Sequence, residues 1–362
     1  MSDKYLSAIV VGRNDDYGSG FMKRFQRTLD ILSHTVGKAG FSDDFELIIT
    51  EWNPPRKMPP LKDALKWPSN LDIRIVEVPR DVHKSVRTQK TKLDSISSDT
   101  IGFFEFIAKN TAIRRAKGEF IVCSNSDIIF NQQLIDFFAQ KKLSKDHIYR
   151  IDRDDLEINV LRKKKMSFDD QLKRFPDNVR AAMVEANEKR HVMRLHSKAS
   201  GDFLLMAKEK FEKMRGYPEF KVDGAAIDRF GLHCAGVYSE QILLRPPLQI
   251  FHQKHVSRHA MYKDSQLRNS KKQHTFFRAE VKEWFKKAIE HMETNKVNLN
   301  PNMRDWGLAS FDINEYPVGK GNGKAIPSIV TMPIAKDWVD SPVVALGVNL
   351  RKPRLDTKRN IL

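Results

Sequence analysis

The sequence predicts an α/β protein with a mostly parallel central sheet flanked by helices and a helical C-terminal extension. Three observations carry this. Strand-like runs at residues 5–11 (YLSAIVV), 45–50 (FELIIT) and 71–78 (LDIRIVEV) succeed one another with a helical segment between the first two, the pattern of sequentially wound parallel strands. Residues 120–123 (FIVC) form an unbroken apolar run, as expected of a strand covered on both faces. That run ends in the polar turn Asn125-Ser126-Asp127, and the carboxyl edge of such a sheet is where ligands bind.

The first strand breaks into the loop Gly12-Arg13-Asn14-Asp15-Asp16-Tyr17-Gly18. The next segment places Phe21, Phe25, Leu29, Leu32 and Val36 at helical spacing, with Gly37 and Gly40 behind it. The second strand ends in Glu51-Trp52-Asn53. Residues 80–100 are rich in Lys, Ser, Thr and Asp and read as a loop of some twenty residues, a candidate lid. Helical periodicity resumes over residues 103–117, with Phe104, Ala108, Ala112 and Ala116 at steps of four and Gly118 as its stop. A short amphipathic helix is expected over residues 134–142 and a charged strand-like stretch over 146–159. Residues 167–192 read as largely helical, 203–206 as a strand and 208–214 as a helix. Beyond Asn269 come an amphipathic helix (276–292) and an irregular Pro/Asn/Gly-rich tail with one compact motif, Asp305-Trp306-Gly307-Leu308-Ala309.

Length and composition bound the function. A chain of 362 residues can hold one large domain or two ordinary ones. Lys and Arg exceed Asp and Glu by 63 to 46, and the formal charge of +17 favours an anionic partner. The basic residues are spread along the chain, so most read as solvated surface. Two cysteines cannot make a disulfide framework and fit a reducing, cytoplasmic compartment. With neither a signal-peptide pattern nor an apolar run of bilayer length, at most peripheral membrane contact is expected.

Three groups of residues could carry chemistry. Asp127, at the end of a buried strand, could hold Mg²⁺ or Mn²⁺, with Asn125 two residues earlier reaching the same ion or a ribose hydroxyl. As a bare pattern Asn-x-Asp is weak, and a lone aspartate after a strand reads first as a turn or N-cap residue before the helix at Leu134. His252, His255 and His259 lack the glutamate or cysteine partners of a structural zinc site; one of them, preferentially His252 at a strand end, could meet Asp127 across a cleft. Asp223, Asp228 and Asp202 compete as a general base, which must sit close to the hydroxyl it deprotonates and away from bulk water. No phosphate-binding glycine loop follows the first strand, which argues against P-loop and nicotinamide dinucleotide binding, and no G-x-S-x-G elbow is present.

In order, these features resemble the GT-A class of glycosyltransferases, nearest to the inverting family 2 type, over residues 5–259. The resemblance rests on AIVVGRNDD, ELIITEWNPP, AKNTAIRRAKGEFIVCSNSD, SGDFLLMAKEKFEKMRGYPEF and IFHQKH. It implies a GT-A domain over residues 1–269, with a nucleotide-binding half (1–130) and an acceptor-binding half (131–269), then an extension (270–362). It implies a nucleotide diphosphate sugar as donor, uridine being the commonest nucleotide of the class, and a glycan or other hydroxyl acceptor, with transfer by a single inverting displacement. By position, Asp15 and Glu51 would contact base and ribose, Lys109, Asn110 and Asn125 would face the nucleotide, and Asp127 and His252 would hold a divalent cation, Mn²⁺ or Mg²⁺. Asp223 would be the base, with Asp228 and Asp202 as rivals. The usual Asp-x-Asp is here Asn-Ser-Asp, which leaves Asp127 as the dependable ligand.

Other classes stay open at this level. A catalytically degenerate nucleotide-sugar binder fits the loss of one acid at Asn125. A basic nucleic-acid-binding protein fits the charge but lacks any recognition motif, so no nucleic-acid partner is expected. A sugar nucleotidyltransferase would need a glycine-rich loop that is absent.

Overall fold

The computed structural model describes residues 4–88, 102–156, 195–221, 226–255, 285–320 and 326–328. Its centre is four parallel strands, β1 (Lys4–Gly12), β2 (Phe45–Trp52), β3 (Asp72–Val78) and β4 (Gly118–Ser124), arranged β3-β2-β1-β4. Chain order reverses at β1, with β2 on one side and β4 on the other. The crevice beyond the carboxyl ends of β1 and β4 is therefore the topological switch point, the expected place for a ligand in such a sheet.

Strand periodicity explains the layering. On β1, Leu6, Ala8 and Val10 point to one face and Ile9 and Val11 to the other; on β4, Phe120 and Val122 oppose Ile121 and Cys123. The first face is covered by Phe21, Phe25, Leu29, Leu32 and Val36 of α1 (Phe21–Lys38), at the spacing read from the sequence. The second is covered by Phe106, Ile107, Ala108, Ala112 and Ile113 of α4 (Glu105–Arg115). Its alanines let the helix lie close to the sheet, and the Thr50 hydroxyl donates to the Ala108 carbonyl at 2.9 Å. Each fully buried Leu, Ile, Val or Phe in these layers contributes roughly 1.5–3 kcal/mol relative to exposure.

Further strands extend the sheet on both sides, through antiparallel and parallel pairings. β8 (Phe203–Ala207) pairs with β4, then come β6 (His147–Arg150) and β9 (Glu240–Leu243). The register sets Ser124 opposite Phe203, so Asn125 leaves β4 beside Asp202, which enters β8. A separate three-stranded sheet runs β5 (Ile128–Phe130), β10 (Ile250–Gln253), β7 (Arg153–Leu156). It packs on α1 through Ile31, Ile129, Leu156 and Phe251.

Three expectations need correction. Residues 80–100 do not begin as a loop: α3 (Arg80–Thr88) buries Val82, His83 and Val86 on one stripe that the polar composition hides, and residues 89–101 lie outside those described. The charged stretch 146–159 is two strands, β6 and β7, which belong to different sheets. Residues 313–319, expected to be irregular tail, are β11 (Ile313–Gly319), which adds antiparallel to β3 and is followed by β12 (Ile326–Ser328). The tail is recruited by charge. Glu315 of β11 pairs with Arg74 of β3, and Arg74 pairs in turn with buried Glu46 at 2.8 Å. Arg115 Nε lies 3.4 Å from Glu315, completing a network whose members would each be costly to bury alone.

The motif at 305–309 docks on α4. Arg114 donates to the Trp306 carbonyl at 2.8 Å and stacks over its ring at 4.8 Å, while the Gly307 amide donates to Glu219 at 2.7 Å. Residues 285–295 are helical and bury Phe285, Ala288 and Met292 against the same core. No helix among the described residues is long and apolar enough to cross a membrane.

Candidate functional site

The polar turn after β4 divides its residues between two centres. Asp127 turns toward the small sheet, and Asn125 toward β8.

The register of the small sheet builds the first centre. His252 of β10 stands opposite Ile128 of β5, next in sequence to Asp127, and opposite Asp155 of β7. The chain then turns so that His255 returns to the same place. Asp127 Oδ2 lies 3.2 Å from His255 Nε2 and 3.8 Å from His252 Nε2, and the three ligand atoms fall within 4.8 Å of one another. Asp155 Oδ1 sits 2.9 Å from His252 Nδ1, an arrangement that orients the ring and leaves Nε2 facing Asp127. One carboxylate oxygen and two imidazole nitrogens, with a carboxylate behind one ring, fit a divalent cation. Burial pushes the Asp127 carboxyl upward, but the His255 hydrogen bond and the charges of His252, His255 and Arg24 outweigh it and hold it below the ordinary range. His255, not only the expected His252, belongs to this set. His259 lies outside the described residues.

Asp202 organises the second centre. Its Oδ1 accepts from Asn125 Nδ2 and its Oδ2 from Arg153 Nη1, each at 2.8 Å. Burial dominates, and against Arg153, Lys109 and His252 it still raises the carboxyl above its ordinary value. Asn125 Oδ1 accepts from Lys109 Nζ at 3.0 Å, and the same ammonium donates to Glu105 Oε1 and the Gly201 carbonyl, each at 2.9 Å. Lys109 is fully buried, which lowers its pKa, but Glu105 more than restores it and the amine stays charged. Asn125 thus spends its amide on Asp202 and its oxygen on Lys109.

A cleft of about 470 Å³ opens above this network, lined among others by Asn125, Arg153, Asp155, Asp202 and Asp228. Asp228, near the start of the helix Ile227–Gly236, uses Oδ2 to accept from the Ser200 hydroxyl at 2.7 Å and the Gly201 amide at 3.0 Å. Its other oxygen has no hydrogen bond among the described residues. Asp223 lies outside the described residues.

The remaining candidates are dispersed. Asp15, in the loop after β1, pairs with Arg13 at 2.7 Å, and Arg13 also donates to the Gly102 carbonyl at 2.8 Å. Glu51 is fully buried and accepts the Leu61 amide with both oxygens, at 2.9 and 3.0 Å; burial raises its pKa to about 7. Asn110 is fully buried as well, bonding Tyr217 on both sides of its amide and donating to Glu219 at 2.9 Å. These two hold the backbone that surrounds the site.

Sequence reasoning missed Arg24, Asp155 and Arg153. Arg24 was visible in principle: Arg24, Thr28, Ile31 and Thr35 form a second buried stripe on α1, and a charge on such a stripe needs a partner. Asp155 and Arg153 carry no local signal, because only the pairing of β7 with β10 makes them neighbours of the site.

No family model and no curated protein sequence matches the chain. In chain path it is similar to TarS of S. aureus, at 13% identity and a TM-score of 0.45 over 81% of this chain and 43% of that one; it thus spans under half of that TarS chain. The TarS 1–349 structure in complex with UDP-GlcNAc gives 12% identity and a TM-score of 0.47, covering 81% of this chain and 72% of that one. The mannosyltransferase PcManGT from Pyrobaculum calidifontis, in complex with GDP-Man and Mn²⁺, gives 14% and 0.42 over 84% and 71%.

Proposed function

We propose that the chain is a GT-A type glycosyltransferase that moves a sugar from a nucleotide diphosphate donor to an acceptor hydroxyl. The observation that carries this reading is the pair of carboxylate centres at the switch point of a parallel sheet, one with a cation-ligand set and one facing a cleft. Asp127, His252 and His255 would hold a divalent ion. The mixed nitrogen and oxygen donors favour Mn²⁺ over Mg²⁺. When bound, such an ion neutralises negative charge on a departing diphosphate.

The protein's own groups would do the rest. Lys109 holds Asn125 and the Gly201 carbonyl in place beneath the cleft, fixing the Asp202 and Asp228 walls relative to Asp127. Asp228, with one oxygen pinned and one uncommitted, would take the proton of an acceptor hydroxyl; Asp223 is the rival from the adjoining segment. Asp202, with both oxygens engaged, would orient groups rather than accept a proton. Displacement on the face opposite the departing diphosphate would invert the anomeric centre. Asp15, Glu51, Lys109, Asn110 and Asn125 would shape the nucleotide side, Glu51 and Asn110 from behind the surface. Uridine is the first nucleotide to try.

A thermal-shift panel tests this. UDP, GDP, UDP-GlcNAc and GDP-Man are each titrated with and without Mn²⁺, and one nucleotide is expected to raise Tm only when Mn²⁺ is present. Equal responses to all nucleotides, indifferent to Mn²⁺, would reject the reading.

A further inference from the structure

The loop after β1 is tied to the Asp127 centre through one side chain, Arg24. Its two terminal nitrogens gather three successive carbonyls of that loop: Nη2 donates to Tyr17 at 2.6 Å, and Nη1 donates to Ser19 at 2.8 Å and Gly18 at 3.3 Å. Its Nε has no hydrogen bond among the described residues and lies 3.7 Å from Asp127 Oδ2. Arg24 and Asp127 are both buried, so solvent screens this pair little.

The loop also sits directly on the histidines. The Tyr17 ring packs edge-on to His255 at 5.1 Å. Gly18 has φ +66°, and a β-carbon there would collide with His255 Nδ1 and come within 2.9 Å of Arg24 Nη2. Asp16, Ser19 and Gly20 also have positive φ, at 55°, 59° and 80°. Three carbonyls turned toward one guanidinium offset the cost of that backbone.

We infer that Arg24 is a switch between the cation site and the Tyr17–Ser19 loop: it keeps a fixed positive charge beside Asp127, next to the two histidines, and it competes with an incoming divalent cation. This rests on the cation reading above and adds a regulatory step to it. Like charges do not share a carboxylate cheaply, so a cation on Asp127 weakens the hold of Arg24, and Arg24 in turn loosens its grip on the three carbonyls. Linkage makes the coupling reciprocal: a release of the loop that draws the Arg24 charge away from Asp127 tightens the cation. The loop leaves the carboxyl end of β1, one of the two strands that flank the switch point.

The test measures Mn²⁺ binding by calorimetry and loop opening by hydrogen exchange of the residue 17–20 amides, on the full chain. Arg24→Gln should bind Mn²⁺ about tenfold more tightly than wild type and exchange those amides faster. Arg24→Lys, which keeps the charge but loses the fork, should bind Mn²⁺ like wild type while still exchanging faster. Gly18→Ala should weaken Mn²⁺ binding by displacing His255. In wild type, saturating Mn²⁺ should itself speed exchange at residues 17–20. If wild type and Arg24→Gln take up Mn²⁺ equally, or exchange is unmoved by both metal and substitution, the switch is rejected and the cation site stands. If neither takes up Mn²⁺, the cation site itself is rejected along with the switch.

Discussion

Asp127 and Asp202 sit within a few residues of the same strand ends, and both are almost sealed, at 6% and 4% exposure. Their proton affinities nevertheless move in opposite directions, downward for Asp127 and upward for Asp202. Burial is common to both, so it cannot be the deciding term. Asp127 faces two imidazoles and a guanidinium, while Asp202 is met by one neutral amide and by Arg153, whose side chain is 36% exposed and screened by water. The first centre is arranged to receive a positive charge. The second is arranged as a fixed wall.

The largest effect should come from removing the charge that defines the first centre. Asp127→Ala is expected to abolish Mn²⁺-dependent stabilisation by nucleotide and to lower transfer by about a thousandfold. Activity and Mn²⁺ response near wild-type levels would make the two centres equivalent and end the contrast. On the cleft side, Asp228→Asn should lower kcat by roughly 10²- to 10⁴-fold while leaving Mn²⁺-dependent nucleotide binding intact. Steady-state kinetics beside calorimetry would show it, and a full kcat would move the base to Asp223.

A smaller and more pointed effect concerns Asn125, where the resembling class has an acid. Asn125→Asp would set a carboxylate against Asp202 in place of the 2.8 Å amide donor. It should cost about 1–3 kcal/mol of stability without improving Mn²⁺ affinity. Tighter Mn²⁺ binding by this variant would show that the asparagine is merely a lost ligand.

The smallest effect is in pH dependence. Asp202, raised in the fold, contributes stability that is fully present below its ordinary pKa of 3.8 and is lost as pH rises through its folded value. Asp127, lowered in the fold, contributes stability that is present above 3.8 and is lost as pH falls through its folded value. Carboxyl-carbon NMR titrations should therefore place the two midpoints on opposite sides of 3.8. Asp202→Asn should flatten the decline of stability above that pH, and midpoints on the same side would contradict the assignment.

The parallel core was legible because it is written in short-range pattern. Apolar alternation on β1, the unbroken run on β4 and the α1 spacing each appear within a dozen residues, and the structure keeps all three. The helix Arg80–Thr88 was hidden because its buried stripe is only Val82, His83 and Val86 among charges. His83 is acceptable there because burial, then Arg87, Arg13 and Arg80, lower its pKa to about 4, which leaves it neutral to accept from Trp52 Nε1 at 2.9 Å. Strand β11 was missed because its place depends on Arg74 and Arg115 reaching Glu315 from far along the chain.

By itself the sequence determined the parallel core of the sheet, its covered faces and the presence of a polar turn ending in Asp127 at the carboxyl edge, since periodicity and turn chemistry act locally. Tertiary structure decided what that turn means. The pairing of β10 with β5 and β7 delivers His252 and Asp155 to Asp127, and the pairing of β4 with β8 delivers Asp202 to Asn125. Register over separations of tens to more than a hundred residues is set by packing of whole layers, so no local pattern encodes which carboxylate meets two imidazoles and which meets an amide.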